Sequence, residues 1–389
     1  MAIEHFSFPT TIHFGAGARS LVAAHLRQQG IARPLIVTDR GIAALPLLRA
    51  FRDTLAGLEP AVFSEIWGNP VRSQVMQGVT AFKAHDADAV IGLGGGAALD
   101  VAKAVALMAH HPGDILDYAW DHPNVRAITL PLPYFVALPT TAGTGSEVGR
   151  SSVVSDDLTH IKKIIFSPAL LAKAVFADPE LTLDLPPAIT AATGMDALTH
   201  NVESYLSRAY HPLCDAIALE GVRIAARALP IAVRDGHNLQ ARSDMLMSSL
   251  MGAIAFQKDL GAVHSCAHAL STVADLHHGL ANGIMIDHVM RFNLPSATAK
   301  MAELARVAGV PGASALAESA AAEAFIAWLR KMKADLGIPA TLRELNSARK
   351  VTSVDMAALV EVAVNDICHQ TNPRHCERAD FERIFAAVL

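Results

Sequence analysis

Apolar positions in the first half of the chain fall into short continuous runs separated by stretches of helical spacing. Pro34 to Asp39 (PLIVTD) reads as a buried strand, and Arg40 to Gly57 carries helical spacing. Ala61 to Trp67 is another short run, followed by a helical Ser73 to His85. Ala87 to Leu93 (ADAVIGL) predicts a strand that ends at Gly94, Gly95 and Gly96, and Ala97 to Ala109 continues as a helix. Tyr134 to Leu138 is a further strand, ending in Pro139 and a Thr/Gly/Ser loop. Strands alternating with helices of this length predict a parallel sheet covered on both faces. After Pro186 and Pro187 come long segments rich in Ala, Leu and Met, helical in period and almost free of β-branched runs. The stretch Ala313 to Ala327 reads as ordinary helix. The expected class is α/β plus all-α, with an α/β domain over 1–185 and an all-helical domain over 186–389.

Composition narrows the field. Of 389 residues, 52% are hydrophobic and 18% charged, so a large buried core is easily supplied. Lys plus Arg number 32 against 37 Asp plus Glu, a net charge of -5, which argues against a broad nucleic-acid surface. The most apolar window, Ala87 to Ala109, holds Asp88, Asp100 and Lys103, and Ala127 to Ser146 is broken by Pro131, Pro133 and Pro139. No transmembrane helix is expected. The N-terminal MAIEHFSFPT lacks the basic and apolar regions of a secretory signal, and four scattered cysteines do not make a disulfide scaffold. The expectation is a soluble, cytoplasmic protein of enzyme size.

Two loops carry candidate chemistry. Gly92-Leu93-Gly94-Gly95-Gly96-Ala97 fits G-x-G-x-x-A between a predicted strand and a predicted helix, the context of a Rossmann-like dinucleotide site. Glycines there let the backbone approach a pyrophosphate resting on a helix N-terminus. The motif lies far into the chain, and the candidate ribose acid, Asp39, ends an earlier strand instead of following the glycines. A tight turn without ligand is the alternative. The second loop, Thr140-Thr141-Ala142-Gly143-Thr144-Gly145-Ser146-Glu147, sets hydroxyls and small-residue amides at the end of the next apolar strand. Ligands of open α/β sheets bind at such strand ends.

The helical half concentrates histidines. Asp196 and His200 stand at i and i+4, as do His264 and His268, and His277-His278-Gly279 follows shortly after. One carboxylate and up to three imidazoles from three segments can close on one divalent ion; satisfied core histidines are the alternative. Cys368-His369 with His375-Cys376 resembles a small zinc site by residue type, but Pro373 intervenes, and a helix end followed by a turn is preferred.

At these residues the sequence resembles the iron-dependent (group III) alcohol dehydrogenases over essentially the whole chain. The carrying segments are GGGAALDVAK (Gly94 to Lys103), TTAGTGSEV (Thr140 to Val148), TGMDALTH (Thr193 to His200), GAVHSCAHAL (Gly261 to Leu270), HHGLAN (His277 to Asn282) and NPR (Asn372 to Arg374). The resemblance implies a dinucleotide-binding α/β domain, an all-α domain and an active site in the cleft between them. It implies Asp196, His200, His264 and His278 as metal ligands and Asp39 as the acid on the adenosine ribose. It matches Asn69, Gly95, Gly96, Ala97, Asp100, Thr140, Thr141, Thr144 and Lys162 to further cofactor contacts. Ser151, Phe256 and Cys368 match the substrate-pocket lining, which turns Cys368 away from the zinc clip. His268 falls where family members place a histidine close to the nicotinamide. Two departures stand out: Ala97 where the family usually has serine, and Ser271 where it often has glycine.

The activity so implied is metal-dependent hydride transfer between NAD(H) and a small primary alcohol or aldehyde, a hydroxy acid or semialdehyde included, by a homodimer or higher homo-oligomer. Three imidazoles and one carboxylate suit Fe(II) and Zn(II) almost equally, and the resemblance points to iron. His268 or His277 is the expected proton relay. Arg150, beside Ser151, could pair with a substrate carboxylate or with Asp156 or Asp157. Rival readings are a glycerol-dehydrogenase-like or maleylacetate-reductase-like enzyme and, from another class, a metallohydrolase, which leaves the two loops without a role.

Overall fold

The computed structural model describes residues 8, 10–345 and 349–389. Residues 1–7, where a secretory signal is not expected, lie outside the described residues. Contacts divide the chain into two compact units, one of Met1–Thr141 with Gly145–Thr182, the other of Ala142–Thr144 with Leu183–Leu389.

The first unit is built on β1 (Thr11–Phe14), α1 (Val22–Gln28), β2 (Pro34–Val37), α2 (Arg40–Ala43), α3 (Pro46–Asp53), β3 (Ala61–Phe63), α4 (Arg72–Ala84), β4 (Ala89–Gly94), α5 (Gly96–His110), β5 (Tyr134–Pro139), β6 (Ser151–Ser155), β7 (Lys162–Phe166) and β8 (Ala174–Ala177). Six strands form a parallel sheet in the order β1-β8-β5-β4-β2-β3. Strands β2 and β4 are buried at every position, which is why they read as continuous apolar runs and not as alternation. The helical stretch expected over 40–57 is two helices, because Pro46 offers no amide and the preceding Leu45 is extended (φ -92, ψ 151). Sequence reading missed the antiparallel pair β6 and β7.

The second unit is helical: α6 (Pro187–Leu206), α7 (Pro212–Arg234), α8 (Leu239–Ala255), α9 (Ala262–Ala274), α10 (His278–Val307), α11 (Glu318–Asp335), α12 (Met356–Asn365) and α13 (Arg378–Ala386). Of the stretch expected to be helical over 313–327, residues 318–327 lie in α11, and a 3₁₀ turn, Ala313–Ala315, precedes it. Helix α6 is the hub, packing on α7, α8 and α10 and buried along most of its length. Among the described residues no helix is long and apolar enough to cross a membrane.

Close helix approach depends on small residues. A Cβ on Gly279 would lie 2.4 Å from the Ala192 carbonyl oxygen of α6, whereas one on Gly283 would meet only side chains, at 3.3 Å or more. Gly279→Ala is therefore expected to cost about 1–3 kcal/mol of stability as an overpacking change, and Gly283→Ala clearly less. Urea unfolding of the two variants checks the order.

Candidate functional site

Helix α6 presents Asp196, His200 and Glu203 at i, i+4 and i+7, all buried. Helix α9 contributes His264 and α10 begins at His278, so side chains remote in sequence converge inside the second unit. Around Asp196 Oδ1 lie His278 Nε2 at 3.5 Å, His264 Nε2 at 3.8 Å and His200 Nε2 at 3.9 Å. Donors of one tetrahedral ion with bonds of ~2.0–2.1 Å sit roughly 3.4 Å apart, so these spacings fit a shared cation better than hydrogen bonds. Asp196, His200 and His264 offer donor atoms all within 4.8 Å of one another. The His200 and His264 rings stack, with centroids 4.7 Å apart, and Phe256 lies 5.2 Å from His200.

The electrostatics suit a cation. Burial, together with the neighbouring His264, pushes His200 down to about 4 against the pull of Asp196, so its lone pair is available at neutral pH. Burial also opposes a charged His264, but Glu203, Asp196 and Asp366 outweigh it and raise that imidazole. The Asn282 amide nitrogen lies 2.6 Å from Asp196 Oδ1, 3.3 Å from His264 Nε2 and 3.2 Å from His278 Nε2. The Asn282 amide nitrogen thus sits among one carboxylate oxygen and two imidazole nitrogens. His264 Nδ1 donates to Glu203 Oε2 at 2.6 Å.

A second group adjoins the first. His268 Nδ1 donates to Asp366 Oδ2 at 2.7 Å, and Asp366 also accepts from Ser265 Oγ at 2.8 Å and the Cys368 amide at 2.9 Å. Burial resists ionisation of Asp366, yet His268 and these donors hold it well below the ordinary carboxylate range. The His268 and His278 rings stack at 5.2 Å. His277 instead accepts the Leu280 amide as N-cap of α10 and is exposed. The zinc clip does not form: Cys368 groups with His268 and Asp366, Cys376 contacts Asn372, and His369 packs edge-on against Phe381.

In the first unit, strand order explains the displaced acid. Val37 of β2 pairs with Gly92 of β4, so Asp39 emerges beside the glycine turn, where a Cβ on Gly94 would lie 3.1 Å from its Oδ2. Asp39 Oδ1 caps α2 through the Ile42 amide at 2.9 Å. Gly94 has φ 152, a region open to glycine. Helix α5 starts at N-cap Gly95 without a side-chain cap, leaving its first-turn amides for an anion. The Thr141 side chain faces Gly95, and the Thr140 amide donates to Gly94 O at 3.0 Å. Gly96 and Ala97 open α5, Asn69 precedes α4, and Lys162 opens β7 within reach of the Asp100 charge. Asp100 itself is held by Ser146 Oγ at 2.6 Å and the Val153 amide at 3.0 Å. The buried Lys103 donates to Ser146 Oγ at 2.9 Å and to the Ser151 carbonyl at 2.8 Å. Thr144 belongs to the tripeptide counted with the second unit. Arg150 lies over the Phe166 ring at 5.6 Å, while Asp156 caps the Leu158 turn and Asp157 accepts from Ser73.

Sequence reasoning missed Glu203, Asn282 and Asp366. Glu203 carried one local signal, the i+3 spacing from His200 on the same helix face. It also passed over Glu147, a buried carboxyl that desolvation raises to about 7. Its folded value exceeds the ordinary 4.5, so between those values the folded chain keeps a proton that the unfolded chain releases. Stability is thereby lost as pH rises across that interval. Glu147→Gln should match the parent below pH ~5 and exceed it above pH ~7, by on the order of 2–3 kcal/mol at most, in thermal melts against pH.

A family model described as iron-containing alcohol dehydrogenase matches residues 9–179, and one described as Fe-containing alcohol dehydrogenase family, C-terminal, matches residues 190–389. The chain is 36% identical over 385 residues to a 4-hydroxybutyrate dehydrogenase of Cupriavidus necator, covering 96% of this chain and 97% of that protein. It is 34% identical over 390 residues to an NAD-dependent methanol dehydrogenase of Bacillus methanolicus, covering 100% of both. The crystal structure of a 1,3-propanediol oxidoreductase superposes with a TM-score of 0.92 at 36% identity, covering 100% of both chains.

Proposed function

The chain belongs to the iron-containing alcohol dehydrogenase family, and on that premise we propose that it transfers a hydride between NAD(H) and a small primary alcohol or aldehyde. The observation that carries the reading is the grouping of Asp196, His200 and His264, whose donor atoms all lie within 4.8 Å of one another, with His278 Nε2 3.5 Å from Asp196 Oδ1. These four would hold a divalent iron. When bound, the ion supplies Lewis-acid polarisation of the substrate oxygen and the nicotinamide supplies the hydride carrier.

The residues of the chain do the rest. Asp39 accepts hydrogen bonds from the adenosine ribose and repels a 2′-phosphate, which favours NAD over NADP. The uncapped amides at the start of α5 hold the pyrophosphate, aided by Thr140 and Thr141. Because the His268 Nδ1–H donates a hydrogen bond to Asp366, Nε2 is the position that takes up the alcohol proton during oxidation and returns it during reduction. Phe256, against His200, and Cys368, against Asp366, line the substrate side. The C. necator and B. methanolicus relatives bear the names of a hydroxy-acid and a simple-alcohol enzyme, which supports short primary alcohols, with or without a distal carboxylate, as the substrate class.

The deciding assay follows NADH absorbance with iron-loaded protein across a panel of short alcohols, diols, hydroxy acids and their aldehydes. Turnover with NAD, a lower kcat/KM with NADP, and loss of both metal and turnover in His264→Ala are expected. A His264→Ala protein with full metal content rejects the ligand assignment. Equal use of the two dinucleotides rejects the role of Asp39.

His268→Ala separates proton relay from metal binding. The variant should keep its metal and its NADH affinity while kcat falls roughly 10²–10⁴-fold, the loss shrinking at high pH where the alcohol needs less help. Loss of metal in that variant makes His268 a ligand, and an unchanged kcat makes it a packing residue.

A further inference from the structure

Helix α9 begins with three amides, and each meets a side-chain oxygen from a remote element. The Ala262 amide donates to Asn372 Oδ1 at 3.2 Å, Val263 to Glu203 Oε1 at 2.7 Å and His264 to Glu203 Oε2 at 3.2 Å. These are groups that a helix leaves unsatisfied and that cannot be buried without partners. The N-cap is Gly261, where a Cβ would lie 2.5 Å from Glu203 Oε1 and 2.9 Å from Asn372 Oδ1. A side chain at 261 would expel one of the two.

Glu203 does more than cap. The oxygen that receives the His264 amide also receives His264 Nδ1, at 2.6 Å. We propose, resting on the metal reading above, that Glu203 is the positioning residue of the metal centre. It sets the place of α9 against α6 and keeps the His264 proton on Nδ1, so that Nε2 presents a lone pair toward Asp196. A carboxylate is the group required. It accepts from two amides and one imidazole at once, and being buried it must have all three donors to offset its desolvation. A glutamine has one acceptor oxygen and a donor NH₂ that would face an N–H. The imidazole is then free to move its proton to Nε2, the tautomer that cannot ligate through Nε2.

Asn372 provides the contrast. It caps Ala262 and pairs with Asn293, its Nδ2 donating to Asn293 Oδ1 at 2.7 Å, and its remaining hydrogen bonds go to Arg374 and Cys376, not to an imidazole of the cluster. Loss of Asn372 should loosen the start of α9 without freeing the His264 tautomer.

The test is zinc competition against a chromophoric chelator on metal-free full-length protein, together with ¹⁵N imidazole spectra and thermal melts. Glu203→Gln is expected to weaken zinc binding roughly 10–100-fold and to lose the Nδ1–H signature of His264. Asn372→Ala is expected to lower Tm while zinc affinity stays within about threefold. Should Glu203→Gln not fold, Glu203→Asp keeps the charge but withdraws it by one methylene, and should weaken zinc binding by a smaller factor. Wild-type zinc affinity in the glutamine variant, in the aspartate variant where that must stand in, or an equal loss in Asn372→Ala overturns the proposal. A wild-type protein that binds no zinc and no iron overturns the metal reading instead, and the imidazole spectra, recorded without metal, tell the two failures apart.

Discussion

Two carboxylates buried on one helix organise the second unit. Asp196 and Glu203 lie on α6, where water does not reach them, so each must be met by donors from elsewhere. Glu203 is met by the first turn of α9 and by the His264 ring, and Asp196 by Asn282 of α10 with three imidazoles around it. A slip of one helix by a single turn, about 5.4 Å, would leave both carboxylates unsatisfied. Electrostatic demand therefore sets the register of α6, α9 and α10 more sharply than apolar packing does, because apolar contacts are non-directional. The glycines at 261 and 279 follow from it: the helices approach where donors must reach the carboxylates, and no side chain fits.

The first unit solves a milder version of the same problem. A parallel sheet gathers the carboxyl ends of β2, β4 and β5 at one edge, so Asp39, the Gly94 turn and Thr140 become neighbours although they are scattered along the chain. Beneath that edge a buried set of Asp100, Lys103 and Ser146 ties α5 to the segment after β5. Lys103 is pulled down by burial while Asp100 and Glu147 oppose this, and Glu147 keeps a proton near neutrality. Ionic groups at the strand ends thus hold loops, and the first turn of α5 is left without a side-chain cap.

Much of this was legible along the chain because the relevant signals are local. Continuous apolar runs marked β2, β4 and β5, since a central parallel strand is buried on both faces. The i, i+4 pairs marked helix faces that carry Asp196 with His200 and His264 with His268. The turn at 94–96 announced itself by three glycines. Local reading failed for one local and one non-local cause. Pro46 split a stretch with good helical spacing, and the pairing of β6 with β7 depends on a partner strand more than on either sequence.

The sequence by itself determined residue chemistry and period: which side chains can ligate, which faces they share, and where the backbone can turn tightly. Only the tertiary structure decided which histidine does what. His277 and His278 are adjacent and chemically identical, yet one caps α10 in solvent and the other turns toward Asp196. The pairing of Glu203 with His264 spans 61 residues and that of His268 with Asp366 spans 98. Periodicity reports the face a residue occupies, but which faces meet depends on how whole helices pack. That packing is settled by the summed burial of many side chains and by the need to satisfy every buried charge.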